Sequence, residues 1–389
     1  MLTFDKFRGI NNIAPSERLK ANELRIATDV DIDLTGGLRR RRGYSEVVAE
    51  CYKNLWQADG FMLATRNGDL ISRFPNGTVT TLYSGLSVAR VWYCNLPDGR
   101  VSFSNGNING ITDGLTMTGW GVPVPASVGA LTDVPGSLFA GDYQWMLTHV
   151  RLADNAEGGN ILSNPAPVTQ GGILLTGLPT LAGYKTNVYL TSHNGGDGFL
   201  AGSTTGSTFT YVGENNALTT PCRTDQLIPA PVGTVQAFWR GRALVAQGSV
   251  LWASLPNRWE LFDPRRDFKQ FTADITLLQP VDDGIYVGTE KELAFLRGVE
   301  FDKLVYSQVV AGRTVLGSGV EVRGEQIKRG DSVGDGRAMV CIADRLLVAG
   351  FNSGAVERLT EGRYATDVTE VSATFRVERE IPQYMAVPQ

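Results

Sequence analysis

Short runs that alternate apolar and polar residues fill most of this chain, and small turn-forming clusters separate them. Met62-Leu63-Ala64-Thr65 leads through Arg66-Asn67-Gly68-Asp69 into Leu70-Ile71-Ser72-Arg73-Phe74. The Asn67-Gly68 pair favours the positive backbone angles of a tight hairpin turn. Pro75-Asn76-Gly77 turns the chain again into Thr78-Val79-Thr80-Thr81-Leu82, and Pro97-Asp98-Gly99 separates Val91-Trp92-Tyr93-Cys94 from Val101-Ser102-Phe103-Ser104. The same spacing returns later. Ala243-Leu244-Val245-Ala246 and Val250-Leu251-Trp252-Ala253 flank Gln247-Gly248-Ser249, and Ile285-Tyr286-Val287-Gly288-Thr289 and Leu293-Ala294-Phe295-Leu296 flank Glu290-Lys291-Glu292. Leu346-Leu347-Val348-Ala349-Gly350 and Ala355-Val356-Glu357-Arg358-Leu359 flank Asn352-Ser353-Gly354.

Repeated hairpins of this kind predict an all-β fold with a β-propeller-like body. Identity between the units is low, so the repeat is architectural, and a less regular β-barrel assembly is the competing arrangement. The middle of the chain differs. From Pro135 to Pro229, longer strands rich in aromatic and β-branched residues follow one another: Asp142 to Val150, Tyr184 to Leu190, Ser207 to Tyr211. They predict an inserted β-sandwich. Its wording (Tyr143-x-Trp145-x-x-Thr148, a Ser163-Asn164-Pro165 stop, then Tyr184-Lys185-x-x-Val188-Tyr189) resembles a fibronectin type III-like module. The best helical candidate is Pro15 to Ala27, with Ser16 as N-cap and Leu19, Leu24 and Ala27 partly on one side; an extended path fits it equally.

Four segments follow: 1–50, an N-terminal extended segment with a strand; 51–134, the first part of the propeller; 135–229, the insertion; 230–389, the second part with a C-terminal strand. About 250 residues are left for blades of ~40–45 residues each, room for five or six.

Composition narrows the chemistry. Glycine, at 45 residues, is in excess, and the excess falls in the turn clusters that punctuate strands. No apolar run is long enough to span a bilayer, and Asp5, Lys6 and Arg8 occupy the place of a signal peptide's apolar stretch. The net charge of −4 gives no overall basic surface with which to grip DNA. Cys51, Cys94, Cys222 and Cys341 are widely separated, as buried reduced thiols would be. His149 and His193 are the only histidines, which restricts zinc sites and histidine acid–base chemistry. No cofactor or metal site is expected.

The first 44 residues are the most distinctive. Phe7-Arg8-Gly9-Ile10-Asn11-Asn12 is followed by Ala27-Thr28-Asp29-Val30-Asp31-Ile32-Asp33, then by Gly36-Gly37-Leu38-Arg39-Arg40-Arg41-Arg42-Gly43-Tyr44. Asp29, Asp31 and Asp33 alternate with Val30, Ile32 and Leu34, so the carboxylates share one strand face about 7 Å apart. As a calcium loop the row fails, because Leu34 and Arg40 stand where the Gly and Glu are needed. On a strand the arginines also alternate, and only two can share a face. Two could face a DNA channel; pairing with the aspartates and a subunit contact is the other reading.

This opening resembles that of the tail nozzle or tail-tube hub proteins of short-tailed bacteriophages. Leu251-Trp252-Ala253-Ser254-Leu255-Pro256-Asn257-Arg258-Trp259 is similar to a recurring segment of the same family. The resemblance implies a virion structural protein assembled in the host cytoplasm. It further implies a homo-oligomeric, six-fold ring below the portal and its adaptor, through whose lumen double-stranded DNA leaves without sequence-specific binding. The chain is shorter than many nozzle proteins, which leaves open a portal-proximal ring or the terminal gate. Candidate subunit-interface residues are Asp29, Asp31, Asp33, Arg39, Arg40, Arg41, Arg42, Trp239, Arg240, Arg242 and Trp259, because aromatics and arginine are enriched at interfaces.

Rival readings are a carbohydrate-binding or glycan-cleaving propeller and a receptor-binding or baseplate tail component. Asp98, Asp282, Asp283 and Asp344 sit at predicted turns, where Asp is a default residue. No sialidase box, G-x-S-x-G, H-E-x-x-H or phosphate-binding loop occurs, so no enzyme is expected.

Overall fold

The computed structural model describes residues 6–389 except 34, 42, 44, 47, 330, 331, 379 and 380. The chain opens on a small hairpin of β1 (Val30–Ile32) and β2 (Leu38–Arg40), a sheet of its own. Then come two four-stranded antiparallel meanders. The first is β3 (Tyr52–Gln57), β4 (Met62–Arg66), β5 (Asp69–Arg73) and β6 (Val79–Tyr83); the second is β7 (Trp92–Asn95), β8 (Val101–Ser104), β9 (Asn109–Thr112) and β10 (Met117–Thr118). Asn67 and Gly68 both take positive φ at the β4–β5 turn (54° and 87°), as the Asn-Gly signal required.

An insertion follows: β11 (Ala130–Pro135), β12 (Gly141–Tyr143), β13 (Trp145–Arg151), β14 (Glu157–Leu162), β15 (Ala166–Val168), β16 (Gly171–Thr176), β17 (Tyr184–Thr191), β18 (Gly198–Thr204) and β19 (Thr208–Tyr211). A three-stranded sheet in the order β11-β16-β19 lies with a four-stranded sheet in the order β14-β13-β17-β18 around a shared core of Trp145, Leu147, Ile173, Leu175, Val188 and Leu190. This is a two-sheet sandwich.

The chain then resumes the meander series. The third has β20 (Gln236–Trp239), β21 (Arg242–Gln247), β22 (Val250–Leu255), β23 (Arg258–Phe262) and a fifth strand, β24 (Phe268–Gln270), beside β22. The fourth is β25 (Ile275–Val281), β26 (Gly284–Thr289), β27 (Glu292–Arg297) and β28 (Val305–Ala311). The fifth begins with β29 (Val320–Arg323); a short hairpin of β30 (Lys328–Arg329) and β31 (Ser332–Val333) precedes β32 (Arg337–Ala343), β33 (Leu346–Gly350) and β34 (Val356–Arg358). The chain closes on the ribbon β35 (Val371–Glu378) and β36 (Ile381–Pro388).

Successive meanders pack face to face. Leu63 and Leu70 of the first meet Tyr93 and Phe103 of the second; Leu96 and Ile111 of the second meet Val245 and Phe262 of the third. Along β26 the period of two serves both neighbours at once. Ile285 and Val287 join Leu244 and Leu251 of the third meander, while Tyr286 joins Met339 and Cys341 of the fifth. Such strands are buried on both faces, which is why they read as continuous apolar runs.

Of the two readings of Pro15 to Ala27 the helical one fails, and one interface candidate is corrected. The segment from Pro15 to Ala27 holds only a short 3-10 turn, Ser16–Arg18, with no side-chain cap. Its apolar residues lie too far apart to bury a stripe, and tertiary packing is what holds most helices. Trp239 belongs to the core, 3% exposed between the third and fourth meanders, and is no contact surface for another subunit.

Candidate functional site

The sandwich meets the meanders at a charged junction. β13 ends at Arg151, whose side chain is 5% exposed. Its Nη2 donates to Glu260 Oε2 at 2.7 Å, and Nε and Nη2 form a fork on Asp154. Arg100, from the β7–β8 hairpin, donates through Nη1 to Glu260 Oε1 at 2.8 Å and through Nε to Asp98 at 2.7 Å. Glu260 of β23 therefore receives one guanidinium from the sandwich and one from the second meander. Burial works against both guanidinium charges, but the carboxylates outweigh it and hold both pKa values above the ordinary arginine value.

Backbone fit supports the charge pairing. A Cβ on Gly159 would overlap the carbonyl oxygen of Leu227, and one on Gly158 would come within 2.7 Å of the Val122 oxygen. Only glycines let β14 lie directly on both connections between sandwich and meanders. Asn160 adds a side-chain bond to Asp225 (3.0 Å) and accepts one from the Gln226 amide (2.7 Å). Trp120, 2% exposed, donates its indole N–H to the Trp259 carbonyl at 2.9 Å across 139 positions of sequence.

Beside this clasp is a cleft of about 330 Å³ lined by Asp98, Arg100, Glu157, Arg258, Trp259 and Glu260. Glu157 takes three bonds on one oxygen, from Thr148 Oγ1 (2.5 Å), Tyr189 Oη (2.6 Å) and Asn187 Nδ2 (2.9 Å). Burial and this carboxylate push the Tyr189 phenol well above its ordinary value. Most charges in the cleft already have partners within the chain.

The opening hairpin orders its charges similarly. Cross-strand register sets Asp31 opposite Arg39, and Arg41 forks onto Asp31 at 2.9–3.0 Å while Arg39 reaches Asp33 at 3.3 Å. Asp33 also caps the turn, accepting from Thr35 and the Gly37 amide, which holds its carboxyl below the usual range. Asp29 is exposed with φ 54°. Arg40 is exposed and has no partner among the described residues; Arg42 lies outside them. In the third meander, Arg242 is largely buried against Asp267 (3.2 Å), Arg240 donates to the Asp282 carbonyl, and Trp259 donates to the Gly241 carbonyl. Only the Arg240 bond joins two meanders, the third and the fourth; the other two lie within the third, and none of them involves the opening hairpin's charge pairs.

Among the described residues no group of three or more His, Cys, Asp or Glu could hold a metal ion, and no helix is long and apolar enough to cross a membrane. Asp282 and Asp283 do sit at a turn, where they bond the Arg337 and Ser353 amides.

No family model and no curated protein matches this chain. Among solved structures, it is similar to virginiamycin B lyase from Staphylococcus aureus (9% identity, TM-score 0.32, 86% of this chain and 91% of that one). It is also similar to the Neurospora crassa Pan2 WD40 domain (10% identity, TM-score 0.33, 87% of each chain). Against the extracellular domain of a B. thetaiotaomicron one component system it has 10% identity and a TM-score of 0.29, covering 89% of this chain but spanning only 38% of that one. Superpositions this loose carry no argument; the architecture rests on the strand order given above.

Proposed function

We propose that this chain is a structural subunit of a larger assembly: a five-bladed β-propeller body with an inserted fibronectin type III-like sandwich. It acts mechanically, as a nozzle or hub ring of a short-tailed phage that forms part of the conduit for DNA. One observation carries the reading. At the junction, Glu260 of the third meander is committed to Arg100 of the second meander and Arg151 of the sandwich, which ties three modules together, and the opening hairpin pairs its own charges internally. The phage assignment is supported by the wording of the first 44 residues. An acidic chain suits a conduit, since a wall that held phosphate tightly would stall its passage.

A ring of this kind needs two unlike patches that meet around a rotation axis. Mass photometry of the purified chain, with and without its virion neighbours, tests the proposal. A closed ring that co-purifies with viral particles is expected. A solitary monomer that turns over a soluble substrate, absent from such particles, would overturn it.

A further inference from the structure

The end of the sandwich away from the clasp is built as a rigid, acidic surface with an apolar centre. Three loops meet there: 136–142, 192–197 and 212–217. Phe139 is 65% exposed and Val212 50% exposed. Neither is loose. The Phe139 amide donates to Asn215 Oδ1 at 2.8 Å, and its carbonyl accepts from Tyr143 Oη at 3.0 Å. Asn215 Nδ2 donates in turn to that fully buried tyrosine at 2.8 Å. The His193 ring, bonded to the Ala140 carbonyl at 2.7 Å, stands edge-on to Phe139 at 6.2 Å between centroids. Around this centre the loops carry exposed Asp142, Asp197 and Glu214, and no Lys or Arg at all.

The opening hairpin offers the complement. Its register puts Val30 opposite Arg40 and Ile32 opposite Leu38, so these four share one face while the ion pairs take the other. Leu38 is 39% exposed, and the exposed Arg40 has no partner among the described residues. A two-stranded sheet with three-residue strands is too small to be stable uncovered.

We propose that the Val30/Ile32/Leu38/Arg40 face of one copy docks on the Phe139/Val212 tip of a second copy, with Arg40 against the acidic rim. This deepens the ring reading and rests on it. The two patches are unlike, so the contact is head-to-tail and can close a ring. The pairing matches apolar surface with apolar surface and cation with anions, which sets partner choice and orientation.

The test is a charge swap read by mass photometry across a concentration series, with circular dichroism melts to confirm that each variant folds. Arg40→Glu alone, and Asp142→Lys/Asp197→Lys/Glu214→Lys alone, should each weaken assembly at least about tenfold; a chain with all four changes should regain most of that loss. Phe139→Ala should weaken assembly without altering its salt dependence. Rings that survive both single swaps, or fail to return in the combined chain, overturn this contact and leave the ring itself standing. A wild-type chain that never assembles removes both.

Discussion

Glu260→Gln should release the sandwich from the meanders without unfolding either. In the native chain Glu260 is 16% exposed and takes Arg151 on one oxygen and Arg100 on the other. An amide keeps one acceptor and points an N–H₂ group at the other guanidinium. Breaking a buried pair by removing one partner costs about 3–5 kcal/mol. Arg151 retains Asp154, which is 45% exposed, so about 2–3 kcal/mol is the expected loss. That makes the undocked state roughly 30- to 150-fold more frequent. Hydrogen exchange reads this directly, as faster exchange confined to β14 and residues 222–227 with the sandwich core unchanged. Arg100→Met gives the internal scale. Arg100 is one-third exposed (32%), so its loss should cost under about 1 kcal/mol. Exchange that is unaltered in Glu260→Gln, or equally raised in Arg100→Met, would refute the clasp as the element that seats the sandwich.

Other outcomes follow from single sites. Gly159→Val should displace β14 from Leu227 and lower the melting temperature more than Gly196→Val, where a Cβ meets nothing within 4 Å. Trp120→Ala should cost about 3–5 kcal/mol in denaturant titration, since the ring is buried against Phe262 and its N–H holds the Trp259 carbonyl. Burial pushes the His149 imidazole below its ordinary value of 6.5, so the unfolded chain takes the proton more readily. Stability should be full above pH 6.5 and decline as pH falls below it, and His149→Gln should flatten that slope in melts from pH 5 to 7.5. Hydrogen bonding from Arg265 holds the Asp263 carboxyl below 3.8, so its contribution is present above that value and lost with further acidification. Asp263→Asn should make the chain less sensitive to acid below pH 4.

The hairpins were legible because their turns are local chemistry: Asn67-Gly68 and Pro97-Asp98-Gly99 specify reversals with no help from the rest of the chain. So was the partnership of Asp31 and Asp33 with the arginine run, since all lie within ten residues. The clasp was not. Arg151 and Glu260 are 109 positions apart, and nothing near either residue marks it as buried. The Gly158-Gly159 pair was the available signal, since adjacent glycines within a strand often mark close backbone approach. Trp239 misled for a related reason: Trp-Arg-Gly-Arg reads as interface chemistry, but the Trp239 side chain packs between the third and fourth meanders.

Asn12 and Ala365 grip each other reciprocally: the Asn12 side-chain amide donates to the Ala365 carbonyl at 2.7 Å and accepts from its N–H at 3.0 Å. A stitch across 353 positions cannot form during translation until the later partner has emerged. At ~5–20 residues per second the early segment waits about 20–70 s, undocked beside a growing body. Its first opportunity to find other partners therefore comes before its own fold is complete, so the timing of synthesis decides what that segment meets first.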